Sequence, residues 1–204
     1  MHQSLTKIIL VGAFHEIIEL CEYNEYNIVG IIDNNLTGEY LGYPIIGIDS
    51  DAASLYSIYG QFPLVITPDL PKVREKLFIY YKSLGYSFVN LISKEAYISP
   101  RAKLGEGIII QNKVYISSNS TIGDFVKLNV GATLMHDTII DNFSSMAPNS
   151  TVLGYVSIGK SCYVGANSTI LPHLKIGNGV IIGAGAVVTR NIDNNNTVKG
   201  VPAK

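Results

Sequence analysis

Ninety-six consecutive residues, Ala96 to Asn191, divide into sixteen hexads without an insertion, from AYISPR and AKLGEG through ATLMHD to VIIGAG and AVVTRN. The third position is always Ile, Leu, Val or Met, and the first is always small, β-branched or aliphatic. A fixed period means a solenoid, and six is the period of a parallel β-helix. Side chains alternate along a strand, so positions one and three point the same way and fill a narrow prism. Three hexads make one triangular coil of eighteen residues, and residues eighteen apart stack. Glycine recurs at the fourth position, at Gly105, Gly123, Gly159, Gly165, Gly177 and Gly183. Its freedom at positive φ suggests that it makes the corners.

The first 91 residues read differently. KIILVG (7–12) is an apolar run that stops at glycine, as a buried parallel strand does. Residues 14–23 carry apolar side chains at helical spacing. NIVGIID (27–33), FPLVIT (62–67) and YSFVNLI (86–92) read as further strands, YPIIGI (43–48) as a short extension, and 70–83 as a helix. This rhythm predicts a small Rossmann-like α/β domain with a parallel sheet. Residues 91–95 read as the linker into a β-helix domain spanning 96–204. Its tail, IDNNNTVKGVPAK, is too polar to extend the prism.

Composition narrows the function. With 47% hydrophobic and 15% charged residues the chain is globular, and a net charge of −1 argues against general nucleic-acid binding. The two cysteines, Cys21 and Cys162, fall in different domains, with Cys162 at an inward position. A reduced, cytoplasmic protein is expected. No leader is read before Lys7, and Ile8–Val11 is too short to cross a membrane.

The candidate chemistry lies in two places. In the first domain a strand ends in Gly12-Ala13-Phe14-His15-Glu16 and opens a helix, whose N–H groups can hold a phosphate; an ordinary strand-to-helix turn fits the same residues. Asp33 ends the second strand, where a ribose or base contact falls in such folds, or it is a turn aspartate leading into Asn34-Asn35. In the repeat, His136 and Asp137 share a coil corner: a general base near neutral pH and a carboxylate able to orient it, or a solvated histidine with an unrelated neighbour. Gly154 lies one coil further along that edge, its N–H open to an oxyanion. His173 reads as a surface corner residue. With four histidines in all, no three-histidine zinc site is expected.

Hexads of this kind followed by GVPAK (200–204) resemble the bacterial left-handed β-helix acyltransferases of the hexapeptide-repeat superfamily. The α/β domain in front narrows the resemblance to the NeuD and PglD type of sugar acetyltransferases. These include enzymes acting on nucleotide-linked 4-amino-4,6-dideoxy sugars such as perosamine and viosamine. The resemblance implies a left-handed coil, acetyl-CoA as co-substrate, no metal, and a homotrimer with active sites between subunits. It makes His136 the general base, Asp137 its orienting acid and Gly154 the N–H facing the thioester carbonyl. Asn129 falls near the acceptor group, and Ala166 and Ala184 along the pantetheine arm. Phe14, His15, Asp33 and Asn34 fall where the sugar's nucleotide is held.

The implied activity is N-acetylation of a UDP-, dTDP- or GDP-linked amino sugar for surface glycan or glycoprotein synthesis, by direct attack, since Cys162 faces inward. O-acetylation of a sialic-acid-type sugar is the alternative, and a non-catalytic trimeric scaffold the remote one. Three positions depart from the family. Ser145 replaces a second histidine and leaves only a hydroxyl on the cofactor side. Phe14 stands where a glycine precedes the loop histidine, and Thr67-Pro68-Asp69 replaces a Gly-Asn-Asn-like turn.

Overall fold

A computed structural model of the chain describes residues 6–204; the first five, His2 among them, lie outside the described residues. Strand β1 (Lys7–Val11) is apolar because both its faces are covered, and Ile8 to Val11 are all buried. Helix α1 (His15–Tyr23) buries Ile17, Ile18, Leu20 and Cys21 against the sheet. β2 (Asn27–Ile32), the hairpin of β3 (Glu39–Tyr40) with β4 (Tyr43–Gly47), α2 (Ala52–Tyr59), β5 (Leu64–Ile66) and α3 (Pro71–Ser83) complete the domain. The sheet order is β3-β4-β2-β1-β5, parallel except for the hairpin. No described helix is long and apolar enough to cross a membrane.

Two expectations for this half need correction. The predicted strand over 86–92 does not join the sheet beyond a single Leu64–Phe88 bridge. Its apolar end, Leu91–Ile92, pairs instead with Ile109–Ile110 and forms the first rung of the prism. No linker therefore separates the halves: Leu91 and Ile109 pack in one cluster with Ile8, Leu10 and Ile17. Helix α2 was not expected, because only Ala52 and Leu55 are buried on it and no apolar period announces it.

The prism has three faces of parallel two-residue strands. The first face runs from Leu91–Ile92 through Lys127–Leu128 to Thr197–Val198, the second from Tyr97–Ile98 to Val187–Val188, and the third from Lys103–Leu104 to Lys175–Ile176. Partners lie eighteen residues apart, as in Tyr115 with Thr133 and Thr133 with Thr151. The third-position side chains, among them Ile116, Leu134, Met146, Val152 and Ile170, fill the axis and are wholly buried.

The corners are made otherwise than expected. The left-handed backbone falls at the sixth position, as at Asn119, Phe125, Asp137, Phe143 and Tyr155, with φ between 55 and 62°. The fourth-position glycines serve close stacking instead: a Cβ on Gly123 would lie 2.3 Å from the Asn142 side chain, and one on Gly165 2.5 Å from the Ala184 nitrogen. The tail is a second correction. Ile192 bridges Ile176, and Thr197–Val198 pairs with Ile181–Ile182, so the prism continues in a coil shortened to sixteen residues. Ile192 and Val198 supply the inward apolar groups, while the polar Asn194 turns the corner by accepting the Asn178 N–H.

The α/β domain sits over the first face and the edge between the third and first faces. Phe125 and Phe143, both left-handed corner residues, stack 5.5 Å apart and pack with Phe78 of α3, and Phe125 also meets Phe88. A bulky side chain at positive φ is normally unfavourable, and here its burial in the domain junction offsets that. Arg74, 1% exposed, completes the junction. Its guanidinium donates to the carbonyls of Pro68, Asp69, Phe125, Phe143 and Ser144 and to Ser145 Oγ. Burial lowers its pKa to about 10, so it stays charged near neutrality. Arg74→Ala would strand these acceptors without a donor and should destabilise the protein by about 3 kcal/mol or more, read as a fall in the denaturant midpoint.

Candidate active site

The edge between the second and third faces gathers one column of side chains. Coil stacking places Asn119, Asp137, Tyr155 and His173 above one another at sixth positions, and His136 and Gly154 at fifth positions. Adjacent side chains on a strand diverge, but Asp137 is left-handed (φ 58°), and this turns its carboxylate back on its neighbour. Asp137 Oδ2 lies 2.9 Å from His136 Nδ1, and its Oδ1 accepts from Asn119 Nδ2 at 3.3 Å. The His136 hydrogen bond chiefly, aided by Asn119, holds the Asp137 carboxyl below its ordinary pKa against desolvation. An ionised Asp137 favours the proton on Nδ1 and leaves Nε2 as the acceptor, on a side chain 47% exposed.

Glycine at 154 leaves the room that the His136 ring occupies. A Cβ there would lie 2.7 Å from His136 Cε1 and 2.9 Å from Nε2. Its carbonyl accepts the His173 N–H at 3.0 Å, while its own N–H meets no protein acceptor among the described residues. One member of the column was missed in the sequence. The Tyr155 ring stands edge-on to His136 (5.2 Å, 84°) and stacks on His173 (4.8 Å, 6°). The eighteen-residue spacing 119, 137, 155, 173 is the signal that would have found it.

The other expected residues lie elsewhere. Asn129, Ala166 and Ala184 line the edge between the first and second faces, not the edge of His136. Asn129 is nearly buried and donates to Asp69 Oδ1 (3.1 Å) and the Met146 carbonyl (2.9 Å), whereas Ala184 is exposed. Ser145 is not on a cofactor surface. It is wholly buried on the first face, its Oγ donating to the Asp69 carbonyl and accepting from Arg74, because the α/β domain covers that face.

At the carboxyl ends of β1, β2 and β5 a cleft of about 240 Å³ is lined by Gly12, Phe14, Asp33, Asn34, Asp49 and Pro68, among others. Gly12 (φ 98°) brings the chain against Thr67, whose Oγ1 a Cβ would meet at 2.5 Å. Asp33 accepts the Ala13 N–H (2.9 Å) and the Asn35 N–H (2.8 Å), so its carboxylate braces both loops as a turn aspartate does. Asn34 is paired with Asp49 in both directions. His15 does not line this cleft: it begins α1 facing solvent, 3.8 Å from Glu16.

Comparison with known proteins agrees with this architecture. Residues 155–190 match the bacterial transferase hexapeptide (six repeats) family. The fold is similar to GDP-perosamine N-acetyltransferase from Caulobacter crescentus, solved as a histidine-to-alanine variant with CoA and GDP-perosamine. That match has a TM-score of 0.92 and 30% identity over 97% of this chain and 95% of the other. The acetyltransferase domain of PglB from Neisseria gonorrhoeae, solved with acetyl coenzyme A, gives 0.90 and 28% over 98% and 99%. WeeI from Acinetobacter baumannii gives 0.84 and 28% over 98% and 99%. An uncharacterized protein of Acanthamoeba polyphaga mimivirus is 38% identical over 98 residues. That match spans 47% of this chain and about a fifth (19%) of the viral protein's length.

Two outcomes test this geometry. Gly154→Ala should drive the imidazole from the edge, seen as a displaced His136 ring in a crystal structure of the variant. Both cysteines are wholly buried, and burial pushes Cys21 up to about 12 and raises Cys162. The native protein should therefore leave a thiol reagent unreacted, and the unfolded chain should consume two equivalents.

Proposed function

Because the chain belongs to the left-handed β-helix sugar N-acetyltransferases of the hexapeptide-repeat superfamily, we propose that it acetylates the amine of a nucleotide-linked 4-amino-4,6-dideoxy sugar. Acetyl-CoA is the donor, and UDP, dTDP or GDP the carrier. The observation that carries the reading is the His136–Asp137 pair beneath a glycine whose N–H meets no acceptor among the described residues. The solved relatives with CoA, acetyl coenzyme A or GDP-perosamine support both substrates.

The residues divide the work as follows. Asp137 fixes the imidazole through Nδ1, so Nε2 faces outward as a base. His136 Nε2 takes the proton that the amine loses as it attacks the thioester carbonyl. The Gly154 N–H donates to the oxygen on which charge develops. Transfer is direct: Cys162 is buried in the prism and serves as no nucleophile.

The site is completed by a second copy. His136 and Gly154 occupy one edge, while Asn129, Ala166, Ala184 and the α/β cleft belong to another edge and face of the same chain. Packed prisms in a closed trimer would set the first edge of one subunit against the second edge of its neighbour. Light scattering of the purified protein should accordingly give three times the 22.2 kDa chain mass.

The test of function is CoA release with acetyl-CoA and a panel of UDP-, dTDP- and GDP-linked 4-amino-4,6-dideoxy sugars, with sialic acid in parallel. One amino-sugar nucleotide should be turned over, with kcat lowered about 10²-fold or more in His136→Ala. Turnover of sialic acid alone would make the protein an O-acetyltransferase. No turnover and no acetyl-CoA binding would refute the enzyme reading.

A further inference from the structure

Asp137 holds the His136 ring by a single atom. Its Oδ2 lies 2.9 Å from Nδ1, and no other side chain among the described residues hydrogen-bonds the imidazole. A ring held at one point tilts and swings about that bond. Glycine at 154 leaves space for such a swing, because the Cβ that would stand 2.7 Å from Cε1 is missing. The side chain is also 47% exposed, so the prism does not enclose it. A base that must meet a proton at one place needs a second contact to fix its plane.

Tyr155 supplies that contact. Its ring stands nearly perpendicular to His136, at 84° with the centroids 5.2 Å apart, in the range where aromatic edge-to-face pairs attract. The tyrosine is held in turn. It follows Gly154 at a left-handed corner (φ 61°), and its N–H donates to the His136 carbonyl at 3.2 Å. Its ring is stacked on His173 (4.8 Å, 6°), whose own N–H donates to the Gly154 carbonyl at 3.0 Å. One coil therefore carries the base, the next the ring beside it, and the one after that the backing for this ring. Tyr155 is 53% exposed and lies outside the apolar axis, so its ring does not serve the core of the prism.

We propose that Tyr155 is a positioning residue for the acetyl transfer: its ring, backed by His173, holds the His136 imidazole in the orientation that presents Nε2 as the base. The role rests on the N-acetyltransferase reading above. Asp137 determines which nitrogen carries the proton, and Tyr155 fixes the plane in which the other nitrogen points. The effect belongs to the ring of Tyr155, and its phenol hydroxyl has no part in it.

The test compares Tyr155→Phe and Tyr155→Ala in CoA release and in nitrogen NMR of the histidine side chains, the latter recorded on the full chain without substrates. The His136 signals are identified by their loss in His136→Ala. Tyr155→Ala should lower kcat about three- to tenfold, the range of an aromatic pair, with both KM values unchanged. Tyr155→Phe, which keeps the ring, should restore the wild-type kcat. In the neutral wild-type ring the two nitrogens should have widely separated shifts, one protonated and one bare. Tyr155→Phe should keep that separation, and Tyr155→Ala should move the two toward a common value as the ring leaves Asp137 and exchanges tautomers. Wild-type nitrogen shifts in Tyr155→Ala would overturn the role whatever the activity. An equal loss of kcat in Tyr155→Phe would overturn it in favour of the hydroxyl, and a raised KM with unchanged kcat in favour of substrate binding. If the wild-type protein turns over no amino-sugar nucleotide, the N-acetyltransferase reading fails, and the nitrogen shifts alone decide whether Tyr155 holds the ring.

Discussion

The eighteen-residue hydrogen-bond register between coils governs everything else in this protein. A strand N–H of one coil meets a carbonyl of the next, as Thr133 meets Ser150 and Met135 meets Val152. That register puts Gly154 over His136, and Tyr155 and His173 beyond Asp137. A slip of one residue would exchange inward for outward side chains along a whole face. The left-handed sixth position is the companion constraint. It closes the corners from Gly107 to Gly185, and at Asp137 the same torsion that turns the chain brings carboxylate and imidazole together.

A second constraint is the junction over the first face. Arg74 and the Phe78, Phe125 and Phe143 cluster fix helix α3, and with it the 67–70 turn, against the prism. The α/β cleft is thereby anchored beside Asn129, on a different edge from His136. One copy of the chain carries the His136–Asp137 pair on one edge and the α/β cleft away from it.

The repeat was legible because period six and the inward aliphatics impose one geometry, and His136 with Asp137 stood out because their types and adjacency carry chemistry. What was not legible has physical causes. The period lapses after Asn191, so the sixteen-residue coil closed by Ile192 and Val198 passed for a polar tail. Residues 86–92 have a strand's composition, but composition does not say which sheet a strand joins, and Leu91–Ile92 joined the prism. Ser145 was put on the cofactor side because the resemblance sets it in the place of a family histidine, while the α/β domain that covers it here is not legible from the repeat. His15 follows the loop in sequence but begins a helix, and this turns it to solvent. The fourth-position glycines were assigned to turning, when the stacking distance to the next coil is what excludes a side chain.

The most direct measurement of the central claim, an acetyltransferase site shared between copies, is complementation between two variants that each disable one edge. His136→Ala removes the base, and Ala184→Trp fills the exposed alanine on the other edge. Each homo-oligomer alone should be inactive in CoA release. Co-expressed, they should regain up to about a quarter of wild-type activity, since random mixing in a closed trimer leaves that share of interfaces intact. Mixed oligomers as inactive as their parents would contradict the account and place the whole site on a single chain.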